Sequence, residues 1–486
     1  MSSLTVRRLV NIVTRGVGPL DAQALGYYRV CFAIGVWWIL RDLTMVAWEA
    51  PGSTQLQNAW FADWEWIEAI ANRPDLVARL ESLILGGLVL FGIGLWTRSC
   101  YLVVVVGLTL WTLVRLQHTG THNWAVLLVT LWCLVPVRWG DGLSLDRFIA
   151  RFRDDGSSTV QNDRDYGFAV WMPGFVLGTA MLAAAYAKLS KSGVEWVVGG
   201  AVKYHFVTDA LSAPVDWGLW VASHHWAAVT FSALGVGTEA LLIVAVFLRR
   251  GWMRSLLGVA GFGLLVGFYL FQNEVWSAWW MLWACFFIPW SSIHTHITGW
   301  VRAWRSQFNQ PEPVASSNIE VGLTGAQLSL VILVFGLQLI ASVFQIEQQP
   351  LLSNYPMYSS TFLSTDAFDE TSPMHSPIGF MSITTDGQQD MMAALESSDL
   401  DGPLRDQLVA LSEGQALTEE RRERLRWVAD QFYERSGQQL GVVTFMRDAR
   451  AFDWTIGEVR SSGMLPVVTF DTNLMRVVIT DDEAGR

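Results

Sequence analysis

"GFAVWMPGFVLGTAMLAAAYAKLSKSGVEW", residues 167–196, decides the fold. From Gly167 to Ala187 it carries no charge, and it is long enough to be one of the runs of roughly 18 or more apolar residues that an α-helix needs to cross a hydrocarbon core of about 30 Å. The run ends at Lys188 and Lys191, three positions apart. A lysine placed there either snorkels its ammonium to the interface or is kept at the membrane boundary for chemistry.

Working outward, similar windows recur near 24–46, 80–97, 100–117, 123–139, 167–189, 226–248, 254–272, 275–293 and 323–345. The expected fold is a polytopic α-helical membrane protein of about nine transmembrane helices over residues 1–345, followed by a small C-terminal α+β extracytoplasmic domain over 346–486. Composition agrees, because the 486 residues are 52% hydrophobic and only 16% charged, with 26 Trp, well away from soluble globular usage. The N-terminal "MSSLTVRRLVNIVTRGVGPL" is basic and lacks a compact apolar stretch with a small-residue cleavage site, so it reads as a retained segment. Fourteen arginines, among them Arg7, Arg8, Arg15, Arg147 and Arg254, collect on the side of the N-terminus, against seven basic residues opposite. That asymmetry makes the N-terminus cytoplasmic, and an odd number of spans then exports the tail.

From Glu347 onward the chain holds 23 Asp and Glu, 11 Arg and no Lys, a net of −12 that leaves about +1 for the membrane part. The acidity belongs to the tail and excludes a nucleic-acid partner. All four cysteines lie in or beside apolar spans, so no disulfide framework is expected. In the tail, a strand at 378–384 precedes helices near 388–398, 402–412 and 417–436. Thr418 is placed to cap the last of these, with Glu419 and Glu420 in its first turn. The runs "LGVVTFM", "FDWTIGEV", "LPVVTF" and "MRVVIT" read as strands.

Four residues in the membrane part are candidates for chemistry: Arg29, His118, His122 and Lys188. Arg29 sits inside "ALGYYRVCFAIGVWWIL", where burying a guanidinium costs roughly 2.5–3.5 kcal/mol, so it either faces a partner or wet cavity or snorkels outward. His118 and His122, in "RLQHTGTHNWAVLL", are four apart as a metal site could use, but the intervening Gly120 and threonines break a helix and no Cys or carboxylate accompanies them. No metal is expected, and His122 is either an interfacial structural residue or one that handles substrate. Burial of Lys188, with the like charge of Lys191 on the same face, disfavours its ammonium form, and a neutral amine in an apolar pocket is a competent general base.

"YAKLSKSGVEWVVGGAVKYHF", residues 186–206, resembles the segment around the active-site lysine of the vitamin K-dependent gamma-glutamyl carboxylases, within the broader horizontally transferred transmembrane (HTTM) family, here as a bacterial-type member. The shared pattern is Lys188-Leu189, Trp196, Gly199 or Gly200, and Tyr204. "DAQALGYYRVCFAIGVWWILRDL" is similar to the family's first span with its internal arginine, matched by Arg29, and "THNWAVLLVTLWCLVPVRWGDGLSLDR" to its histidine-bearing fourth span, matched by His122. The resemblance covers roughly residues 20–295.

It implies that Lys188 deprotonates a reduced vitamin K or menaquinol-type quinone, which reacts with oxygen to give a strong alkoxide base and finally a quinone epoxide. That base removes a γ-hydrogen from a peptidyl glutamate for attack on carbon dioxide, with His122 as a partner of the reacting oxygens. Arg29, Trp196, Tyr204 and Tyr269 become substrate- or cofactor-binding residues, and membrane lipid, quinone and a secreted peptide become the partners. The implied location is a bacterial-type inner (plasma) membrane. This chain departs from the family in a longer spacing between Lys188 and Trp196, in a penultimate span whose polar residues are Tyr269, Gln272, Asn273 and Glu274 in place of a histidine, and in a small exported domain. The alternative is a non-catalytic membrane protein for maturation or export of a secreted peptide. Catalysis predicts that Lys188, His122 and Arg29 converge on one apolar cavity near the exported face.

Overall fold

A computed structural model describes residues 20–41, 64–116 except 72, 123–153, 166–296 except 211 and 249–250, 323–346, the strands 378–384 and 387–390, and most of 416–478, with a few isolated positions elsewhere. Among the described residues, the membrane part includes the helices α1 Ala22–Arg41, α2 Glu65–Ala71, α3 Pro74–Ile93, α4 Thr97–Leu116, α5 Asn123–Cys133, α6 Leu145–Arg153, α7 Gly167–Ser192, α8 Glu195–Val198, α9 Val202–Asp209, α10 Trp217–Ser223, α11 His225–Leu242, α12 Val244–Phe247, α13 Trp252–Gln272, α14 Ser277–Phe287 and α15 Gly325–Val343.

Among the described residues, six helical segments are long and apolar enough to cross a membrane: Asp75–Ile93, Thr97–Val114, Gly167–Ser192, His225–Phe247, Trp252–Gln272 and Gly325–Val343. Three of the nine expected spans fall outside that set. Over the described residues α5 and α14 each have 11 residues, about 16 Å at 1.5 Å per residue and only half a hydrocarbon core. Each stops short of a proline, Pro136 and Pro289, whose ring disfavours helical backbone in the preceding residue. Helix α1 has the length, but Arg29 and its Tyr and Trp residues dilute its hydropathy.

The opening stretch forms α7, and it is the central helix. It packs against α5, α11, α14 and α15, and all but two of its side chains from Gly167 to Ala185 are buried. Small residues make this possible, since a Cβ at Gly174 would lie 2.2 Å from the Phe286 ring and one at Gly178 would lie 2.9 Å from the Ile243 Cα. The peripheral helices instead turn large apolar side chains outward, including Leu234, Leu241, Val259, Ile332 and Leu333. Such faces suit contact with lipid.

In the tail, β1 Ile378–Thr384, β2 Gly387–Asp390, β3 Val442–Asp453, β4 Glu458–Asp471 and β5 Arg476–Val478 form an antiparallel sheet in the order β2-β1-β3-β4-β5. Helix α16, Glu419–Ser436, covers it through Leu425, Val428 and Phe432 against Val443, Phe445, Val468 and Phe470. Its start is capped as expected, with the Thr418 side chain accepting from the Arg421 backbone N–H at 3.3 Å. Two expectations are corrected. Residues 388–390 belong to β2 instead of a helix. "FDWTIGEV" is the tip of the β3–β4 hairpin rather than a strand of its own, because the Asp453 carboxylate accepts from the Thr455 and Ile456 backbones at 2.9 and 3.3 Å and Gly457 takes φ +74°. This tip is docked on α9 and α10, where Tyr204, Val207 and Ala222 meet Phe368 and Phe452.

Candidate functional site

Lys188 lies in the last turns of α7 and is 3% exposed, whereas Lys191 stands in solvent. Lys188 Nζ donates to both carboxylate oxygens of Glu239 on α11, at 2.8 and 2.9 Å, and Glu239 is itself 3% exposed. The two side chains are placed as a buried ion pair, so Lys188 does not face the cavity alone.

A third group closes over the pair. After α7 the chain turns at Gly193, runs through α8 and turns again at Gly200, whose φ of +66° and contact with α11 (a Cβ would lie 2.8 Å from Ala228 Cβ) exclude a side chain. The two turns bring Trp196 back over α7, where it is buried against Ala185, Ala201 and Val236. Its ring centre is 5.5 Å from Lys188 Nζ, within range of a cation–π attraction.

The pair faces a cavity of about 300 Å³ between α7, α9, α11 and α13. Phe206, Phe231, Leu264, Phe268 and Phe271 form most of its wall, and Gly235, Gly263 and Gly267 leave it open where side chains would otherwise project. Polar groups enter at two places. One is the Lys188–Glu239 pair with Thr238, and the other is His205 with Gln272. An apolar chamber of this size with a few convergent polar groups has the character of a small-molecule site.

His205 and Gln272 stand at the end of the chamber nearer the loops. Phe231, which meets Phe206 and Phe271, precedes Glu239 by eight residues on α11, about 12 Å along a helix axis. Behind this wall, Gln272 Nε2 donates to Asp209 Oδ2 at 2.9 Å. Burial pushes the half-buried Asp209 carboxyl up to about 6, helped by the charge of Glu274 and opposed by the Gln272 hydrogen bond.

Arg29 belongs to a different centre. Fully buried, it donates from Nη1 to the carbonyls of Trp139 and Gly142 at 2.6 and 3.1 Å, and from Nη2 to that of Leu143 at 2.7 Å. Tyr28, Phe32, Phe91 and Tyr101 pack around Trp139 beside it. At the end of α3, Gly94 has φ +82°, and a Cβ there would lie 2.7 Å from the guanidinium. The neighbouring Asp146 carboxylate accepts from the Trp96 and Thr97 backbones and the Thr97 hydroxyl at 2.7, 2.8 and 2.5 Å, capping the start of α4. Its burial opposes ionisation, but these hydrogen bonds and Arg29 outweigh that and hold the carboxyl below its ordinary range.

This centre and Lys188 do not converge. The Tyr28 hydroxyl donates to the Ala169 carbonyl near the start of α7 at 3.1 Å, whereas Lys188 is 19 residues further on, about 28 Å along the helix. Of the other expected site residues, Trp196 borders the cavity, Tyr204 turns its ring to Phe368 and Trp454, and Tyr269 is 42% exposed and off the cavity wall. His118 and His122 lie outside the described residues. Glu239, Thr238, His205 and Gln272 carry the chamber's remaining polar chemistry. Glu239 was detectable as a carboxylate inside "ALGVGTEALLIVAVF", since an ionisable residue within a span needs a partner for the same reason as Arg29.

Comparison with protein-family models, curated proteins and solved structures finds no match to this chain.

Proposed function

We propose that this chain is an integral membrane enzyme that deprotonates a lipid-soluble quinol in the chamber beside Lys188, as the first step of a gamma-glutamyl carboxylase-like reaction. Arg29 lies at the other end of α7 and takes no part, so of the expected trio the reading rests on Lys188, and the observation that carries it is the buried Lys188–Glu239 pair opening onto an apolar cavity of about 300 Å³. The ion pair changes how the roles divide. Glu239 is the group with lone pairs free to take the hydroxyl proton, and Lys188 supplies the positive charge that stabilises the quinolate oxygen. As the proton reaches Glu239 the ion pair opens, and the Lys188 ammonium turns from one oxyanion to the other. The apolar wall keeps water from the reacting oxygens, which a strong base formed with oxygen requires.

In the finer form of the proposal the ligand is a reduced vitamin K or menaquinol, the quinol is oxidised to its epoxide, and a glutamate presented from the extracytoplasmic side is carboxylated. The orientation inferred from the arginines places the end of α7 near that side, in a bacterial-type plasma membrane. A second reading is favoured by the pair's mutual satisfaction. Two hydrogen bonds between α7 and α11 would also lock those helices in a non-catalytic membrane protein that matures or exports a peptide.

Incubating the purified protein with reduced menaquinone or vitamin K, oxygen and labelled bicarbonate separates the two. The enzyme reading expects epoxide from the wild type and loss of it in both Lys188→Met and Glu239→Gln. A wild type no faster than these variants would leave only the helix lock.

A further inference from the structure

A proton taken up at the Lys188–Glu239 pair needs a way out, and the chamber's second polar end has the parts for one. His205 and Gln272 line the cavity, and Gln272 fixes the Asp209 carboxylate at 2.9 Å. His205 and Asp209 are four residues apart on α9, one turn along the same helical face. Asp209 does not line the chamber itself; it stands behind Gln272, which does, and is only half-buried.

We propose that Asp209, oriented by Gln272 and one turn from His205, is the group through which protons pass between the chamber and the aqueous side. This rests on the proposed deprotonation at Lys188 and Glu239, and it adds a residue that touches neither the pair nor the quinol. The step involves protons only. A proton on the imidazole, or on water beside it, leaves its N–H or O–H bond for an Asp209 oxygen, and the resulting carboxylic acid releases it to bulk water. The amide of Gln272 holds the acceptor in place and carries no proton itself.

The surroundings fit a carboxyl that changes state near neutral pH. From the end of α13 and the segment after it, Asp209 faces Gln272 and Glu274. Its own helix carries His205 and Lys203, and α10 has no titratable side chain. Helix α11 contributes only His225, which is exposed, and Glu239 far along the chamber. Burial with Glu274 nearby holds Asp209 up to about 6, where it can accept a proton and release it again.

The test is the solvent exchange of the Lys188 ammonium protons, read by magnetic resonance on the full chain in lipid nanodiscs with isotope-labelled lysine. The Lys188 signal is assigned by its loss in Lys188→Arg. In the wild type the exchange should step up through the pH where Asp209 ionises, near 6. Asp209→Asn should remove the step and slow exchange at least about tenfold, a modest share of what a placed acid–base group contributes. Asp209→Glu should restore the step. Gln272→Leu should move its midpoint upward, because the lost hydrogen bond favours the ionised form. A folded Asp209→Asn protein with wild-type exchange, or a Gln272→Leu midpoint that does not move, would overturn the proposal. No quinol turnover is needed, so a failure of the enzyme reading shows up separately, as absent epoxide with the exchange step intact.

Discussion

Arg29 and Lys188 are both cations buried in the apolar body of the same protein, yet they are neutralised in different ways. Arg29 donates from its two terminal nitrogens to backbone carbonyls of Trp139, Gly142, Leu143 and Gly92 and is enclosed by aromatic rings. Lys188 has a carboxylate and an open chamber beside it. Carbonyls cannot take a proton, and the neighbouring Asp146 is committed to three hydrogen bonds at the start of α4, so the first arrangement holds the chain together. A carboxylate can, so the second can exchange protons with whatever enters. Burial alone does not mark a functional charge; the nature of its partner does.

That contrast can be broken by substitution. The largest effect is expected at Arg29→Leu, which strands several buried carbonyls and should cost about 3–5 kcal/mol, with no second substitution able to restore it. Unfolding in detergent, followed by near-ultraviolet circular dichroism, would check this, and a loss under 1 kcal/mol would show that the carbonyls find other partners.

Lys188→Met should cost about 3 kcal/mol, because it leaves the Glu239 charge buried alone. Unlike Arg29, this site has a single partner that can be neutralised with it. The double variant Lys188→Met with Glu239→Gln should recover to within about 1 kcal/mol of wild type. If the double variant were as unstable as the single one, the two sites would be alike and the pair would be structural.

Asp209 offers a smaller, pH-dependent effect. Its carboxyl is raised in the folded protein to about 6 from 3.8, so its stabilising contribution is present below the unfolded value and is lost as pH rises through about 6. Asp209→Asn, which resembles the protonated form, should therefore gain up to about 2 kcal/mol over wild type at pH 8 and nothing at pH 3. Melting curves at the two pH values measure it, and a pH-independent difference would place the Asp209 carboxyl in water.

The smallest change in stability is expected at Gly263→Leu, where an added Cβ meets nothing within 4 Å. Replacing a mid-helix glycine should stabilise α13 by up to about 1 kcal/mol. The side chain would nonetheless fill the chamber and abolish binding of a quinol analogue, measured by calorimetry in detergent. Retained binding would place the ligand elsewhere.

The helices were largely legible in the sequence. Apolar length marked α7 and Thr418 announced the cap of α16, but the expected spans 123–139 and 275–293 ran through Pro136 and Pro289, short of which α5 and α14 end. Lys188 was also visible, as a charge where a span runs out. Its partner was passed over although the same rule applied to it, because Glu239 is one carboxylate in a strongly apolar run and lies 51 residues from Lys188. Arg29 showed that a partner was required but not which, since backbone carbonyls have no residue type to search for. The strand reading of "FDWTIGEV" failed because its β-branched and aromatic residues serve a hairpin tip pressed against Tyr204.

What the amino-acid sequence determined by itself is therefore what depends on near neighbours: hydropathy over one helix length, caps, turns and the charge contrast between membrane part and tail. Those properties come from residues a few positions apart. Only the tertiary structure decided that Lys188 meets Glu239, that Arg29 holds carbonyls at the other end of α7, and that a chamber opens between α7, α9, α11 and α13. Contacts of that kind depend on how helices pack, and packing answers to the shape of whole faces, so small residues such as Gly174, Gly178 and Gly200 set positions that no local pattern encodes.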